Sequence, residues 1–321
     1  MSKIAPKKCI YEFYALNKCI NHVDGSFFKN TYTQNLNQID VIRTMTELKK
    51  HFAVIGNPIH HSLSPQIHAA FAKEAELHIT YEAILSPLDA FKKTINKLIE
   101  QKLSGANITL PFKKEAYELA SSHSNHAKIA KAVNTFEFKE GEIVGHNTDG
   151  MGLVRDLEQN LHVGLNSKKI LLIGAGGAAE GVIYSILEKK PKELTLTNRT
   201  IEKSNTIKNK MNEYAQSFDV NLNVIDMEKL PHHYFDVIIN ATSASLNDAD
   251  LGMDDQVFHE GSLAYDMMYG KETNFIKQAK SQASKTSDGL GMLVEQAAEA
   301  FFIWHHIKPQ TKSVIQSLRA L

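Results

Sequence analysis

An α/β architecture in two units, with the strands of each unit read as parallel, is predicted by three features of the 321-residue chain. Short apolar runs ending in Gly, Pro or Asn alternate with helix-patterned stretches along most of its length. One of these runs, "KILLI", enters the glycine turn "GAGGAAEG" and then an apolar helix. The length itself suits about two domains of ordinary size.

Bulk properties narrow the function classes. Lysine plus arginine equal aspartate plus glutamate at 36 each, so the formal net charge is zero. Nucleic acid and anionic membranes favour a basic excess, so neither is expected as a partner. The longest apolar runs, "ILLIG" and "VIIN", are strand-length and too short to span a bilayer. Both cysteines, Cys9 and Cys19, lie near the start, which predicts no disulfide framework and a reducing compartment. Residues 1–44 carry neither a sustained period nor the apolar core of a secretory signal. A transit peptide would be richer in arginine than this stretch, which has only Arg43. It reads as a poorly ordered N-terminal extension or an over-extended start, and Met45 opens the first globular segment.

The elements follow in order. "HFAVIGNP" is an apolar strand ended by Asn-Pro, and Ser64 with Pro65 reads as N-cap and first position of a helix through Leu77. "ITYEAIL" is a strand, after which Ser86, Pro87 and Asp89 open a helix with a capping-box-like pattern. Its positions Leu88, Phe91, Ile95, Leu98 and Ile99 make one apolar face. "GANITL" is a strand, and Pro111 then starts a helix carrying Lys113 and Lys114. "AVNTFEFKEGEIVGHNTD" alternates about "KEGE" and predicts a β-hairpin. A second series begins near Asp149, with strands "KILLI", "ELTLT", "LNVID", "FDVIIN" and "SLAYDMM", and a polar helix to about Gln216. "GLGMLVEQAAEAFFIWHH" and a helix after Pro309 close the chain.

Gly174, Ala175, Gly176, Gly177 and Ala178, followed by Ala179, fit the G-x-G-x-x-A dinucleotide fingerprint in strand–turn–helix context. The turn brings backbone N–H groups of the helix start toward a pyrophosphate. Glu180 in that first turn reads as solvent-facing and favoured by the helix dipole. At the end of the next strand an NAD site would carry an acid for the ribose 2′-hydroxyl. This chain has Asn198, Arg199 and Thr200, with Lys203 one turn on. Guanidinium and ammonium groups attract a 2′-phosphate, so NADP is the predicted cofactor. The plainer alternative is an Asn turn and an N-capping Thr200 beside two exposed cations.

Polar residues recur at the strand ends of the first unit: Ser62 and Ser64, Asn107 and Thr109, Asn134, then Asn147, Thr148 and Asp149. Singly each suits turn chemistry. Together, outside the carboxyl ends of strands, they suit a small polyhydroxylated carboxylic acid. His146 and the adjacent pairs His60/His61, His232/His233 and His305/His306 lack ligand spacing, and no metal is predicted. Lys113 and Lys114 lie about 100° apart on a helix, so both can hardly face one cleft.

At this point the segments "VIGNPIHHSLSP", "GANITLPFKKEA", "AVNT", "GHNTDG", "LLIGAGGAAEG", "TNRT", "INATS", "YDMMY" and "DGLGMLVEQAAEAF" resemble the shikimate dehydrogenase family. They stand in family order from about residue 52 to the C-terminus. The resemblance implies a substrate-binding domain (45–148 plus 289–321) and a Rossmann-type NADP-binding domain (149–288), with C-terminal helices returning to the first. It implies Lys113 and Asp149 as the catalytic pair. Ser62, Ser64, Thr109, Asn134, Asp149, Tyr269 and Gln296 would hold substrate. Gly174 to Ala178, Asn198, Arg199, Thr200 and Lys203 would hold NADP, with Met267 and Gly289 beside the nicotinamide. Departures fall at "ASLNDADLG", His146 and Glu180.

The implied activity is reversible NADPH-dependent reduction of 3-dehydroshikimate to shikimate in chorismate biosynthesis. Two alternatives stand beside it: a quinate/shikimate dehydrogenase of wider range, and a non-catalytic NADP-sensing module. The latter would have lost Lys113 or Asp149, and both are present. The expected partner is a small molecule and the expected location the cytoplasm, with a homodimer as the one assembly kept open.

Overall fold

"HFAVIG" forms the core of β1 (Lys50–Gly56), where Phe52, Ala53, Val54 and Ile55 are all buried. A strand with no polar face must be covered on both sides, and that requirement organises the first half of the fold. The computed structural model describes residues 50–242, 250–282 and 284–320, all within one compact unit, Lys49–Leu321. The extension expected at 1–44 and most of the "ASLNDADLG" departure lie outside the described residues.

The first sheet holds β1 together with β2 (Ile79–Leu85), β3 (Gly105–Ile108), β4 (Ser122–His123), β5 (Thr135–Lys139) and β6 (Glu142–His146), in the order β2-β1-β3-β5-β6-β4. β1 pairs in parallel with β2 and β3, but β5 is antiparallel to both β3 and β6. The parallel sheet expected here is therefore a mixed one. Its cause is the hairpin: Glu140 and Gly141 both have positive φ, at 52° and 85°. That two-residue turn suits the twist of antiparallel strands and reverses the chain at once.

Side chains alternate across β1. Ala53 and Ile55 pack with Phe91, Ile95 and Leu98 of α2 (Phe91–Glu100) and with Phe112 and Ala116 at α3 (Lys113–Leu119). Phe52 faces the other way. It stacks on Trp304 with ring centroids 4.6 Å apart and packs with Ala300, while Ile67 and Phe71 of α1 (Ser64–Glu74) join a separate cluster. Two helix starts differ from expectation. Leu63, not Ser64, sits in the cap position of α1, and Ser64 is turned to the site cavity. α2 begins only at Phe91, because the Ser86 hydroxyl bonds Thr94 Oγ1 at 3.0 Å instead of capping. Leu88 and Ile99 are accordingly exposed, and the buried face is Phe91, Ile95 and Leu98.

After α4 (Asn125–Ala130) and the hairpin, α5 (Asp149–Arg155) runs into a π-helical turn at Asp156–Asn160. The second sheet is fully parallel: β7 (Lys169–Ile173), β8 (Glu193–Thr197), β9 (Asn221–Val224), β10 (Val237–Asn240), β11 (Leu263–Asp266) and β12 (Lys285–Ser287). Its order β12-β11-β10-β7-β8-β9 is the doubly wound arrangement, with the order reversing between β7 and β10. α6 (Gly177–Leu187) and α7 (Ile201–Ser217) cover one face through Ile170, Leu172, Leu194 and Leu196. α8 (Asn274–Ser281) covers the other through Leu171, Ile173, Ile238 and Ala264.

α9 (Leu290–His305) leaves the second sheet and returns to the first, where Val294, Ala297 and Phe301 pack against Ile67 and Phe71. α10 (Thr311–Arg319) adds Val314 to the same cluster. α9 also crosses α5 closely: a Cβ at Gly152 would meet the Gln296 backbone nitrogen at 2.8 Å. Only glycine admits that approach.

His68 of α1 is fully buried, and neither ring nitrogen has a hydrogen-bond partner among the described residues. Burial, aided by His305 nearby, lowers its pKa to about 3. An unfolded histidine takes its proton near 6.5. Between those values the unfolded chain binds more protons, so stability falls as pH drops below about 6.5, by up to about 1.4 kcal/mol per pH unit for this group. Urea unfolding across pH 4 to 7 should show a steeper acid slope for the wild type than for His68→Phe, by about one proton. Equal slopes would show that His68 does not stay neutral.

Candidate active site

The ends of β1 and β3 and the starts of α3 and α5 converge on a cavity of about 420 Å³. Phe112 anchors the entrance to α3: it is buried and stacks on Phe91 at 4.7 Å. With Phe112 and Ala116 turned to the core, Lys113 falls at the edge of the cavity and Lys114 is exposed. Lys113 Nζ reaches Asp149 Oδ2 at 2.6 Å, across 36 residues of chain. The lysine and carboxylate side chains are 27% and 11% exposed, so solvent screens the pair only partly.

Asp149 is held on its other side too. Asn134 Nδ2 donates to Asp149 Oδ1 at 2.9 Å, and the Asp149 N–H donates to Asn147 Oδ1 at 3.1 Å. Asn134 also donates to Thr148 Oγ1 at 2.9 Å and to Gln296 Oε1 at 3.3 Å. Its own oxygen accepts the Thr148 N–H at 2.9 Å. A backbone N–H can only donate, so the Asn134 amide has one orientation. Gln296 is set by donating to the Leu293 carbonyl at 2.8 Å.

Ser62, Ser64, Thr109, Lys113, Asn134, Asp149, Tyr269 and Gln296 all line this cavity, as do Met267 and Gly289. Ser62 Oγ accepts the Ser64 N–H at 3.3 Å, which holds the two serines together. Burial pushes the pKa of Tyr269 up, so its phenol stays protonated and can donate. Gly289 N–H donates to the Met268 carbonyl at 2.9 Å, which seats the start of α9 against the end of β11.

The cofactor-turn residues form a second group, at the carboxyl ends of β7 and β8. Gly174 has φ +112°, and its N–H bonds the Thr197 carbonyl at 2.8 Å, which ties the two strand ends together. A Cβ added at Gly176 or Gly177 would meet nothing within 4 Å. The backbone there is open to a large anion, and with Ala178 it is exposed at the start of α6. Asn198 closes its turn by donating to the Thr200 carbonyl at 2.9 Å. Thr200 takes the cap position of α7 without a side-chain cap bond. Arg199 and Lys203 are exposed, and neither joins an ion pair among the described residues. Glu180 is not simply solvent-facing as expected: it is half-buried and pairs with Lys210 at 3.2 Å. That cation offsets a carboxylate otherwise badly placed for phosphates.

Three family profiles match along the chain: the shikimate dehydrogenase substrate-binding domain over 54–136, shikimate/quinate 5-dehydrogenase over 156–254, and the shikimate 5′-dehydrogenase C-terminal domain over 289–319. The shikimate dehydrogenase (NADP(+)) of Methylobacillus flagellatus is 47% identical over 270 residues, covering 84% of this chain and 98% of that protein. The chain belongs to the shikimate dehydrogenase family. Among solved structures, an Ael1 enzyme from Pseudomonas putida aligns with a TM-score of 0.80 and 40% identity, over 84% of this chain and 98% of that one. Shikimate 5-dehydrogenase from Thermus thermophilus, solved with NADP(H) and shikimate, aligns at 0.75 and 30% identity, over 84% and 99%. The α/β fold, with a substrate-side sheet, a Rossmann-type sheet and returning C-terminal helices, is thus the family fold.

Further residues stand in the cavity wall, Asn107 among those named from the sequence and Met292 and Leu293 not. Asn107 is buried at 5% exposure and lines the wall, as its alternation with Thr109 signalled. Met292 and Leu293 also line it. Their signal was helical spacing, four and three positions before Gln296. His146, a departure from the family pattern, pairs with Glu137 at 3.3 Å, and burial lowers its pKa.

Proposed function

We propose that this chain catalyses the reversible NADPH-dependent reduction of 3-dehydroshikimate to shikimate in chorismate biosynthesis, with Lys113 and Asp149 as catalytic pair. One observation carries the reading: the 2.6 Å Lys113–Asp149 contact borders a cavity of about 420 Å³ with hydroxyl and amide donors in its wall. A cavity of that size suits a small ring acid. In the same reading, residues 45–148 with 289–321 hold the substrate and 149–288 hold the cofactor.

NADPH, when bound at the glycine turn, supplies the hydride. Gly174 to Ala178 would take its pyrophosphate, and Asn198, Arg199, Thr200 and Lys203 its 2′-phosphate end. Met267 and Gly289 would form the wall against the nicotinamide. Ser62, Ser64, Thr109 and Tyr269 present hydroxyls that can hold the substrate carboxylate, and Asn134 and Gln296 present amides for its ring hydroxyls. An ammonium has three N–H donors. One of those of Lys113 goes to Asp149, which leaves two for the oxygen that becomes the alkoxide. Lys113 stabilises that charge and delivers the proton, and in the reverse direction takes it back. Asp149 holds the ammonium in place and accepts from the reacting hydroxyl.

The substrate is a small molecule, and the reading places the protein in the cytoplasm, with a homodimer as the assembly to test by sedimentation. No helix among the described residues is long and apolar enough to cross a membrane.

Nicotinamide absorbance decides the reading when followed with shikimate or quinate, each with NADP or NAD. Turnover should be fastest with shikimate and NADP. Comparable rates with quinate would favour the broader dehydrogenase, and silence with every pair would favour the sensor. Lys113→Ala should lower turnover by about 10²–10⁴-fold while leaving NADPH affinity nearly unchanged. Lys114→Ala should match the wild type, and a fully active Lys113→Ala enzyme would remove the lysine from the mechanism. Arg199→Ala should raise KM for NADP by at least about tenfold, the worth of a charge-assisted hydrogen bond, and leave that for NAD unmoved. An unchanged KM for NADP would show that Arg199 does not meet the 2′-phosphate.

A further inference from the structure

We propose that Tyr81, on the edge strand β2, is a positioning residue for the catalytic pair, acting through a one-way chain of hydrogen bonds formed by Asn107, Thr135 and Asn134. The proposal rests on the catalytic reading above and extends it to a residue that stands directly behind Ser64 and Asn107 of the cavity wall.

The chain is continuous. Tyr81 Oη donates to Asn107 Oδ1 at 2.7 Å. Asn107 Nδ2 donates to Thr135 Oγ1 at 3.0 Å and to the Asn134 carbonyl at 3.3 Å. Thr135 Oγ1 donates to Asn134 Oδ1 at 3.0 Å. Asn134 Nδ2 donates to Asp149 Oδ1 at 2.9 Å, and Asp149 Oδ2 receives Lys113 Nζ at 2.6 Å.

Its direction is forced by groups that have only one role. The Asn134 carbonyl can only accept, so the Asn107 nitrogen must face it and the Asn107 oxygen must face Tyr81. The Thr148 N–H can only donate, which turns the Asn134 oxygen toward Thr148 and Thr135 and its nitrogen toward Asp149. The far end is an ionised carboxylate, which only accepts. The near end is a phenol whose pKa burial pushes well above its ordinary value, so it remains a donor. Hydrogen bonds aligned in one sense polarise one another. Asn107, Asn134 and Thr135 are 5%, 2% and 0% exposed, so water has little access to replace a lost partner.

Tyr81 is itself held by His68. The two rings stack with centroids 4.2 Å apart and planes 7° from parallel. Asn107 lies near enough to favour a proton on His68, but its geometry falls short of a hydrogen bond. A buried imidazole with both nitrogens unbonded costs stability that a hydrocarbon side chain would not. A flat neutral ring on the phenol fixes the plane in which its hydroxyl points at Asn107.

The test is a double-mutant cycle on the full-length enzyme, assayed with shikimate and NADP. Tyr81→Phe keeps the stacked ring and deletes the first donor. It should lower kcat with shikimate about three- to tenfold, the worth of one net hydrogen bond, with KM for shikimate and for NADP little changed; a rise in KM for shikimate alone would assign Tyr81 to the substrate wall beside Ser64 and overturn the proposal. Thr135→Val interrupts the same chain and should have a similar effect, whereas Thr135→Ser, which keeps the hydroxyl, should restore wild-type rates. Because both changes cut one chain, the double variant should be no slower than the slower single. Wild-type kinetics for Tyr81→Phe would overturn the proposal, as would multiplying effects or a parallel rise in KM for NADP. If Thr135→Val does not fold, the Tyr81→Phe split between kcat and KM decides alone. An inactive wild type would end the catalytic reading and this proposal together, whereas an active wild type with an unaffected Tyr81→Phe ends only the latter.

Discussion

The contact between Lys113 and Asp149 is the constraint on which the site depends, because nothing local holds the two together. They stand 36 residues apart and meet at 2.6 Å only if β3, the hairpin and α5 are all in register. A partly buried ion pair is a weak source of stability, since desolvating both charges offsets much of their attraction. Its worth here is positional. With only 11% of the Asp149 side chain exposed, removing Lys113 would leave a carboxylate that water cannot fully solvate. The surrounding amides therefore have a task apart from binding: they give Asp149 a second, neutral set of partners. Asn134 meets that need by donating to Oδ1, while Asn147 fixes the Asp149 backbone by accepting its N–H.

That arrangement explains the contrast between the two halves of the site. Around Lys113 and Asp149 the side chains are buried and mutually bonded, so their geometry exists before any substrate arrives. At the cofactor turn Gly176, Gly177, Arg199 and Lys203 are exposed and make few contacts. A dinucleotide is large and brings its own charge, so open backbone and free cations can receive it. A small ring acid brings less binding energy and needs its donors placed in advance.

How much of this was legible in the chain varies with how local the cause is. β1, β7 and the "KEGE" hairpin were readable because apolar runs and turn residues act over a few positions. The glycine turn was readable for the same reason, and Gly174 at φ +112° shows why that residue is glycine. Helix starts were misread at Ser64 and Ser86, where hydroxyls that resemble caps serve other partners or the cavity. The mixed sheet was missed because a hairpin predicts its own antiparallel pairing but not the neighbour it joins. Lys113 was separated from Lys114 by family pattern, and the structure gives the physical reason in the anchoring of Phe112. Tyr81 carried no signal at all. Its link to Asn107 spans 26 residues and two strands and exists only in the folded sheet.

The return of α9 joins these levels. Phe52 leaves the second face of β1 bare unless an aromatic surface covers it, and Trp304 does so by stacking at 4.6 Å while donating to the Phe136 carbonyl at 2.9 Å. Once Trp304 is seated there, the preceding turns of the same helix must pass over α5, where Gly152 permits the close crossing. The helix then places Gln296 against Asn134 and Thr148, at 3.3 and 3.4 Å. One wall of the cavity is thus set by a packing demand on a strand remote from the chemistry. The same helix begins at Gly289, pressed against Met267 at the end of β11. Its two ends are therefore seated against different sheets, with Gln296 on the same helix between them. A helix seated at both ends fixes where Gln296 meets Asn134, so this wall of the cavity is in place before any ligand arrives.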